Sequence, residues 1–135
     1  MPEPELYTTI LGSDPAEIAR VRAAVREIAE REGFAERAGD LVLALDEVVA
    51  NAQEHGRAPV AVRAWNDGRL VVEVRDVGEG FDRAHVWRTH PPTPLGPRGR
   101  GLWIARQLAD HVEITVDPNG TMVRLEVSPD PHIGA

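Results

Sequence analysis

The sequence contains no cysteine, which excludes disulfide bonds, zinc–thiolate sites and thiol catalysis. It also contains no lysine, so all 15 basic residues are arginine. A bound phosphate must therefore be met by arginine, by backbone N–H groups or by a metal ion, and a lysine-bearing P-loop is excluded. No apolar run approaches the roughly 20 residues of a membrane span. The acidic start of the chain lacks the basic and apolar regions of a signal peptide, so we expect a cytoplasmic protein without membrane contact.

The net charge of −7 argues against direct binding of nucleic acid, because phosphate backbones attract basic surfaces. Hydrophobic residues make up 42% of the chain and charged residues 27%, which is typical of a globular protein. A chain of 135 residues suits one domain with its own core. We predict a single domain over residues 1–135, with a core at about 6–127 and a disordered tail at 128–135.

Apolar periodicity predicts the element order β-α-α-β-β-loop-α-β-β. The predicted strands lie at about 6–11, 60–65, 70–76, 112–116 and 121–127, and the predicted helices at about 15–32, at 37–54 and after Gly101. Four prolines make residues 82–100 a long loop. The strands alternate apolar and polar residues. This predicts an α+β two-layer sandwich, with a mixed, largely antiparallel sheet and helices on one face.

The segment from Glu47 through Asn51 to His55-Gly56 is the first candidate for chemistry. Glu47 and Asn51 are four residues apart and share one face of the second predicted helix. A carboxylate and an amide oxygen there could hold Mg²⁺ and polarise a hydroxyl or a water. Taken alone, the polar rim of an amphipathic helix accounts for this segment better.

The segment Asp76-Val-Gly78-Glu-Gly80 is the second candidate. Asp76 has the strand parity of the apolar residues before it, so it should face the core, where a carboxylate needs a donor such as the amine of adenine. Gly78 and Gly80 would let the backbone approach a ligand. Thr121 also has inward parity and could bridge to Asp76 or to a base. Taken alone, a turn-capping aspartate and a β-prone threonine explain both positions.

The segment Gly99-Arg100-Gly101-Leu102 is the third candidate. Glycines before a helix N-terminus can form an anion site from free N–H groups and the helix dipole. Arg98 or Arg100 could add charge-assisted hydrogen bonds to a terminal phosphate. The alternative is a loop-to-helix turn with solvated arginines.

Taken in order, these segments resemble the motifs of the GHKL (Bergerat-fold) ATPases, the group that includes gyrase and the histidine kinases. The likeness lies in Glu47…Asn51…His55-Gly56 (the N-box), Asp76-x-Gly78-x-Gly80 (the G1 box), Gly99-x-Gly101-Leu102 (the G2 box) and Gly120-Thr121 (the closing Gly-Thr). It covers roughly residues 40–127. The short chain, with its leading strand and helix, resembles the anti-sigma-factor serine kinase branch.

This resemblance implies an ATP- and Mg²⁺-dependent protein serine/threonine kinase. Such a kinase phosphorylates an anti-anti-sigma (STAS-type) partner, sequesters a sigma factor and forms a homodimer. The resemblance makes Glu47 the general base and Asn51 the Mg²⁺ ligand, with residues 82–100 as a lid over the phosphates. The implied nucleotide contacts are Asn51, His55, Asp76, Gly78, Gly80, Arg98, Gly99, Arg100, Gly101, Leu102 and Thr121. It does not separate Arg98 from Arg100 as the phosphate contact.

Three other functions are compatible with some of these features. A regulatory module that binds ATP or ADP without phosphotransfer would keep the same motifs, although Glu47 favours the enzyme. The catalytic domain of a histidine kinase is disfavoured, because the predicted helix at 15–32 contains no phospho-acceptor histidine. A nucleotide-free scaffold would require all four motifs to be accidental.

Overall fold

A computed structural model describes residues 5–12, 14–55, 59–76, 97–117 and 120–131. The elements in chain order are β1 (Glu5–Leu11), α1 (Ala16–Arg31), a 3₁₀ turn (Ala35–Arg37), α2 (Ala38–His55), β2 (Val60–Asn66), β3 (Leu70–Arg75), α3 (Pro97–Leu108), β4 (His111–Asp117) and β5 (Gly120–Val127). The predicted order of strands and helices is confirmed for this part of the chain.

The five strands form one sheet in the order β1-β2-β3-β5-β4. Each pair of neighbours is antiparallel. The sequence predicts a mixed, largely antiparallel sheet, and among the described strands the sheet is antiparallel throughout. Gly68 makes the tight turn between β2 and β3 with a φ of 104°, a conformation that favours glycine. The α+β prediction is confirmed. After α3 the chain returns to the sheet as the edge strand β4, and β5 lies between β4 and β3.

Helix α2 is the central helix of the layer that covers the sheet, since it contacts α1, α3 and the inward-facing strands. The apolar residues that it buries are Leu41, Val42, Ala44, Leu45, Val48, Val49 and Ala52, besides Ala38 at its start. This set is wider than the single stripe that periodicity predicts, because α2 has neighbours on several sides. Among the described residues, no helix is long and apolar enough to cross a bilayer.

The helix ends follow from local capping. Asp14 Oδ1 accepts the N–H of Ala16 at 2.9 Å at the start of α1. Gly33 ends that helix with a φ of 93°, as predicted, and the Phe34 N–H closes the turn onto the Ala29 carbonyl at 2.8 Å. Helix α3 begins earlier than predicted, at Pro97, because proline is favoured in a first turn, where its missing N–H costs nothing.

The start of the tail is anchored. The Ser128 N–H donates to Asp110 Oδ2 at 2.7 Å, and the Asp130 N–H donates to the Gly33 carbonyl at 2.8 Å. Asp130 Oδ1 also accepts the N–H of Glu36 at 2.9 Å. Residues 128–131 therefore differ from the disordered tail expected at 128–135, since a side chain from the tail caps the 3₁₀ turn. Residues 132–135 lie outside the described residues.

The face of the sheet opposite the helices is covered by its own side chains. The guanidinium carbons of Arg63 and Arg124 lie 5.1 and 5.5 Å from the ring centroid of Trp65. Glu73 pairs with both arginines, at 3.8 and 3.2 Å. Val71 is consequently only 1% exposed although it points away from the core.

Candidate functional site

Three polar side chains are buried in the described part of the chain, and the sequence singled out all of them. They are Asn51 (5% exposed), Asp76 (3%) and Thr121 (1%). Buried polar groups normally have hydrogen-bond partners, so a group of them inside an apolar core needs a reason. These residues come from three different elements, α2, the end of β3 and β5, and they mark the candidate site.

Asp76 and Thr121 lie side by side on neighbouring strands. The Asp76 N–H donates to the Thr121 carbonyl at 2.9 Å, which continues the ladder between β3 and β5. Both have the parity of the core-facing residues of their strands, as predicted. Gly120, with a φ of 146°, leads the chain into Thr121. The carboxylate and the hydroxyl therefore share the inner face of the sheet at one end of the ladder.

Of these three buried polar residues, two carry a buried atom without a hydrogen-bond partner among the described residues. The atoms are Thr121 Oγ1 and Asn51 Nδ2, and buried arginine Nε atoms, such as that of Arg37, share this feature elsewhere in the fold. A buried polar atom without a partner costs about 1–3 kcal/mol. Two such atoms, on residues that the sequence assigned to one ligand, are expected where a ligand supplies the missing hydrogen bonds. The residues present thus fit a polar ligand such as an adenine nucleotide.

A magnesium ion at this site would have the side chain of Asn51 as its protein ligand. Within the described residues, no cluster of three or more His, Cys, Asp or Glu side chains could hold a metal ion. Magnesium does not need such a cluster, because it keeps several waters and binds phosphate oxygens with one or two protein oxygens. The unpartnered atom of Asn51 is its nitrogen. A turn of about 180° around the last side-chain bond exchanges it for the oxygen that a metal requires.

Glu47 lies one turn before Asn51 on α2 and is half-buried. It opens onto a groove of about 380 Å³ between α1 and α2. The residues that line this α1–α2 groove are Pro15, Ile18, Arg22, Asp46, Glu47 and Ala50.

The two adjacent carboxylates of the groove differ in their partners. Asp46 Oδ1 accepts hydrogen bonds from Arg22, at 3.2 Å from Nε and 3.0 Å from Nη2. Glu47 has no hydrogen-bond or ion-pair partner among the described residues. Its carboxylate is therefore available to a ligand, whereas that of Asp46 is occupied.

Helix α3 begins at Pro97, so the N–H groups of its first turn, those of Arg98, Gly99 and Arg100, lack intrahelical partners. The predicted anion site, Arg98 to Leu102, starts in this turn and extends into the helix rather than preceding it. Helices α2 and α3 pack together. They run antiparallel, because Arg37, which precedes α2, donates to the carbonyl of Leu108 at the end of α3. The start of α3 consequently points toward the end of α2 that carries Asn51.

Several predicted contacts lie beyond what the structure describes. Gly78 and Gly80 fall outside the described residues, as does most of the predicted lid at 82–100. The backbone of His55 ends α2, and Arg98 to Leu102 are helical, but their side chains are not described. The choice between Arg98 and Arg100 stays open.

Sequence reasoning missed one group at the opposite end of α2 from Asn51, which we call the Arg37 clamp and which consists of Arg37, Leu108 and Asp110. Arg37 donates from Nη2 to the Leu108 carbonyl at 2.6 Å and from Nη1 to Asp110 Oδ1 at 2.7 Å. The backbone N–H of Ser128, together with Arg37, holds the pKa of Asp110 below its usual value against the opposing effect of burial. No spacing pattern could reveal a pair 73 residues apart.

The chain matches the histidine kinase-like ATPase domain family over residues 11–127 and belongs to that family. This confirms the resemblance to the GHKL ATPases.

Among solved structures, the chain is similar to the RsbU and RsbW domains of Rv1364c from Mycobacterium tuberculosis, with 28% identity and a TM-score of 0.67. That match covers 95% of this chain and 32% of the other, so the chain spans about a third of that protein. It is also similar to the histidine kinase domain of the blue-light activated histidine kinase from Erythrobacter litoralis EL346, with 26% identity and a TM-score of 0.58, over 84% of this chain and 63% of the other. The Acinetobacter baumannii histidine kinase AdeS, at 10% identity and a TM-score of 0.56, shares the fold over 95% of this chain and 70% of its own.

Proposed function

We propose that this domain binds ATP with Mg²⁺ and transfers the γ-phosphoryl group to a serine hydroxyl of a partner protein. The observation that supports this best is the Glu47 carboxylate, which has no partner among the described residues and opens onto the α1–α2 groove one turn from the buried Asn51. A module that only held nucleotide would have no use for a free carboxylate at that position.

The nucleotide contacts follow from the chemistry of the buried groups. The Asp76 carboxylate accepts the exocyclic amine of adenine, and the Thr121 hydroxyl makes the second contact to the base. The Asn51 amide oxygen is the protein ligand of Mg²⁺, which when bound neutralises the phosphate charge. His55, Gly78, Gly80 and the stretch from Arg98 to Leu102 complete the contacts, with Arg98 or Arg100 at the terminal phosphate.

Phosphoryl transfer would use Glu47 as the general base. The acceptor serine enters the α1–α2 groove and donates its hydroxyl hydrogen bond to the Glu47 carboxylate. Glu47 takes the proton as the serine oxygen bonds to the γ-phosphorus, and ADP leaves with the bridging oxygen. Of the two carboxylates that line the groove, Asp46 is hydrogen-bonded to Arg22, so Glu47 is the one available to accept this proton.

The partner is proposed from the resemblance to the anti-sigma-factor serine kinases. One of the similar structures contains an RsbW domain. We infer that the acceptor is a serine of a STAS-type anti-anti-sigma protein in the cytoplasm. A homodimer of this chain would sequester a sigma factor when that partner is phosphorylated.

Phosphate transfer from γ-labelled ATP to purified STAS-domain proteins of the same genome tests the proposal. We expect transfer by the wild type and a loss of about 100-fold or more in Glu47→Gln, the usual contribution of a general base. Glu27→Gln is the matched control, because Glu27 is exposed on α1 outside the groove. ATP binding, measured by calorimetry, should survive in both variants.

Two outcomes would contradict the proposal in different ways. Undiminished transfer by Glu47→Gln would remove Glu47 as the base. A wild type that binds ATP but phosphorylates no STAS-domain protein would favour the regulatory module that holds ATP or ADP without chemistry.

A further inference from the structure

The described side chains of α3 are mostly small or only half-buried, so they resist sliding of the helix along its axis only weakly. Ala105 is its fully buried residue, and Ala109 just beyond its end is the next most buried. Trp103, Ile104 and Leu108 are only half-buried. Small side chains allow close approach of two helices, but they make shallow ridges and so resist sliding weakly. A contact that fixes α3 along its axis would therefore add to the packing of its described side chains.

The Arg37 clamp has the geometry to provide it. The Leu108 carbonyl belongs to the last turn of α3, where carbonyls have no intrahelical partner. Arg37 meets it at 2.6 Å with a planar guanidinium that reaches Asp110 at the same time. Asp110 is itself fixed to the end of β5, since its N–H donates to the Glu126 carbonyl at 3.0 Å and its Oδ2 accepts from Ser128. The clamp thus joins the end of α3 to the start of α2 and to the sheet.

A contact at one end of α3 sets the place of the other end. The 12-residue helix is about 18 Å long. The stretch of α2 from Ala38 to Asn51 spans about 20 Å at the same rise per residue. Because the helices run antiparallel, fixing the end of α3 beside the start of α2 brings the N-terminal turn of α3 to the level of Asn51.

We propose that Arg37 is a positioning residue of the nucleotide site, which fixes α3 along α2 so that the N-terminal turn of α3 meets the phosphates bound near Asn51. This inference rests on the nucleotide binding proposed above. It assigns Arg37 an effect on the phosphate part of the ligand alone, because adenine is held by Asp76 and Thr121 on the sheet.

The test compares Mg-ATP with adenosine, which carries the base but no phosphate. Calorimetry gives the dissociation constant of each ligand for the wild type, Arg37→Met and Arg37→Lys, and melting curves give their stability. Arg37→Met keeps an apolar stem and removes the fork. We expect it to reduce the preference for ATP over adenosine by about tenfold, which corresponds to about 1.4 kcal/mol. Arg37→Lys keeps the charge but not the fork, so its loss should be smaller.

A matched control separates positioning from general stability. Arg20 is exposed and pairs with Glu17 at 3.6 Å within α1, a helix that the clamp does not join. Arg20→Gln should leave the preference for ATP unchanged whatever its melting temperature. If Arg37→Met does not fold, the same two ligands are compared in Asp110→Asn and Arg37→Lys. Each of these variants should also show a reduced preference for ATP over adenosine.

The possible failures are distinguishable. Folded Arg37 variants that weaken ATP and adenosine equally, or neither, would show a purely structural clamp and overturn the inference while leaving the nucleotide site intact. A wild type that binds no ATP, or binds ATP no better than adenosine, would overturn the proposed phosphate site and this inference with it.

Discussion

Replacing Thr121 by valine should make the ligand-free protein more stable and weaken its binding of nucleotide. The Thr121 side chain is 1% exposed and its hydroxyl has no partner among the described residues. Valine has nearly the same shape and a similar preference for strands, so the packing around position 121 should hardly change. The substitution removes a buried polar atom that lacks a hydrogen bond.

The expected gain follows from the cost of such an atom. An unsatisfied buried hydroxyl costs about 1–3 kcal/mol, so Thr121→Val should raise the free energy of unfolding of the ligand-free protein by at least about 1 kcal/mol. For a domain of this size that is about 4 °C in melting temperature. With Mg-ATP at a hundredfold excess over its dissociation constant, ligand adds about 2.7 kcal/mol to the wild type. The variant should show a smaller ligand shift, because a base contact is missing.

Thermal melting with and without Mg-ATP measures both effects. Thr121→Ser is the control that keeps the hydroxyl and loses the methyl group. It should lose about 0.8 kcal/mol of stability, the value of one buried methylene, and keep the ligand shift. A ligand-free Thr121→Val that melts below the wild type would mean that the hydroxyl has a partner in the folded protein. An unchanged ligand shift would remove Thr121 from the site.

Three further substitutions test the rest of the site and the clamp. Asp76→Asn should abolish the ATP-induced rise in melting temperature with an unaltered circular dichroism spectrum, because the variant keeps the size of the side chain but loses the charge that strengthens its hydrogen bond to the adenine amine; an unchanged ATP affinity in calorimetry would refute the adenine contact. Asn51→Ala should make ATP binding insensitive to Mg²⁺, so calorimetry with Mg²⁺ or with EDTA should give one affinity; a preserved Mg²⁺ response would exclude Asn51 as the ligand. The pKa of Asp110 is lowered in the folded state, so its stabilisation is complete above the unfolded value of about 3.9 and is lost as pH falls through the folded value. Asp110→Asn should therefore cost about 0.5–1 kcal/mol at pH 7 in urea unfolding, since solvent screens a partly exposed pair, and this gap should shrink below about pH 4; a gap of equal size at pH 3 would contradict the ion-pair account.

Much of the site could be predicted because the signals are local. The inward direction of Asp76 and Thr121 follows from the two-residue period of a strand. The shared face of Glu47 and Asn51 follows from the helical period. The end of α1 at Gly33 follows from the backbone freedom of glycine. Each of these depends on a few neighbouring residues, so a pattern in the sequence is sufficient.

Other features depend on residues far apart in the chain. The sequence could not say which of the adjacent carboxylates Asp46 and Glu47 is occupied, because Arg22 comes from another helix. It placed the start of α3 after Gly101, whereas the helix begins at Pro97. Proline disrupts a helix interior but is favoured in the first turn, and a stretch with several prolines does not show which of them starts the helix. It also left Asp130 in a disordered tail, although its side chain caps a 3₁₀ turn far away in sequence.

The sequence by itself determined the element order, the two-layer class, the family and the inward direction of Asp76 and Thr121. These are set by backbone period, side-chain polarity and short motifs, which act over a few residues. The tertiary structure alone decided that β5 lies beside β3, so that Thr121 meets Asp76, and that the Arg37 clamp joins α3 to the start of α2. Such contacts form only when collapse of the core brings distant segments together, and the free energy that selects them is shared by the whole fold.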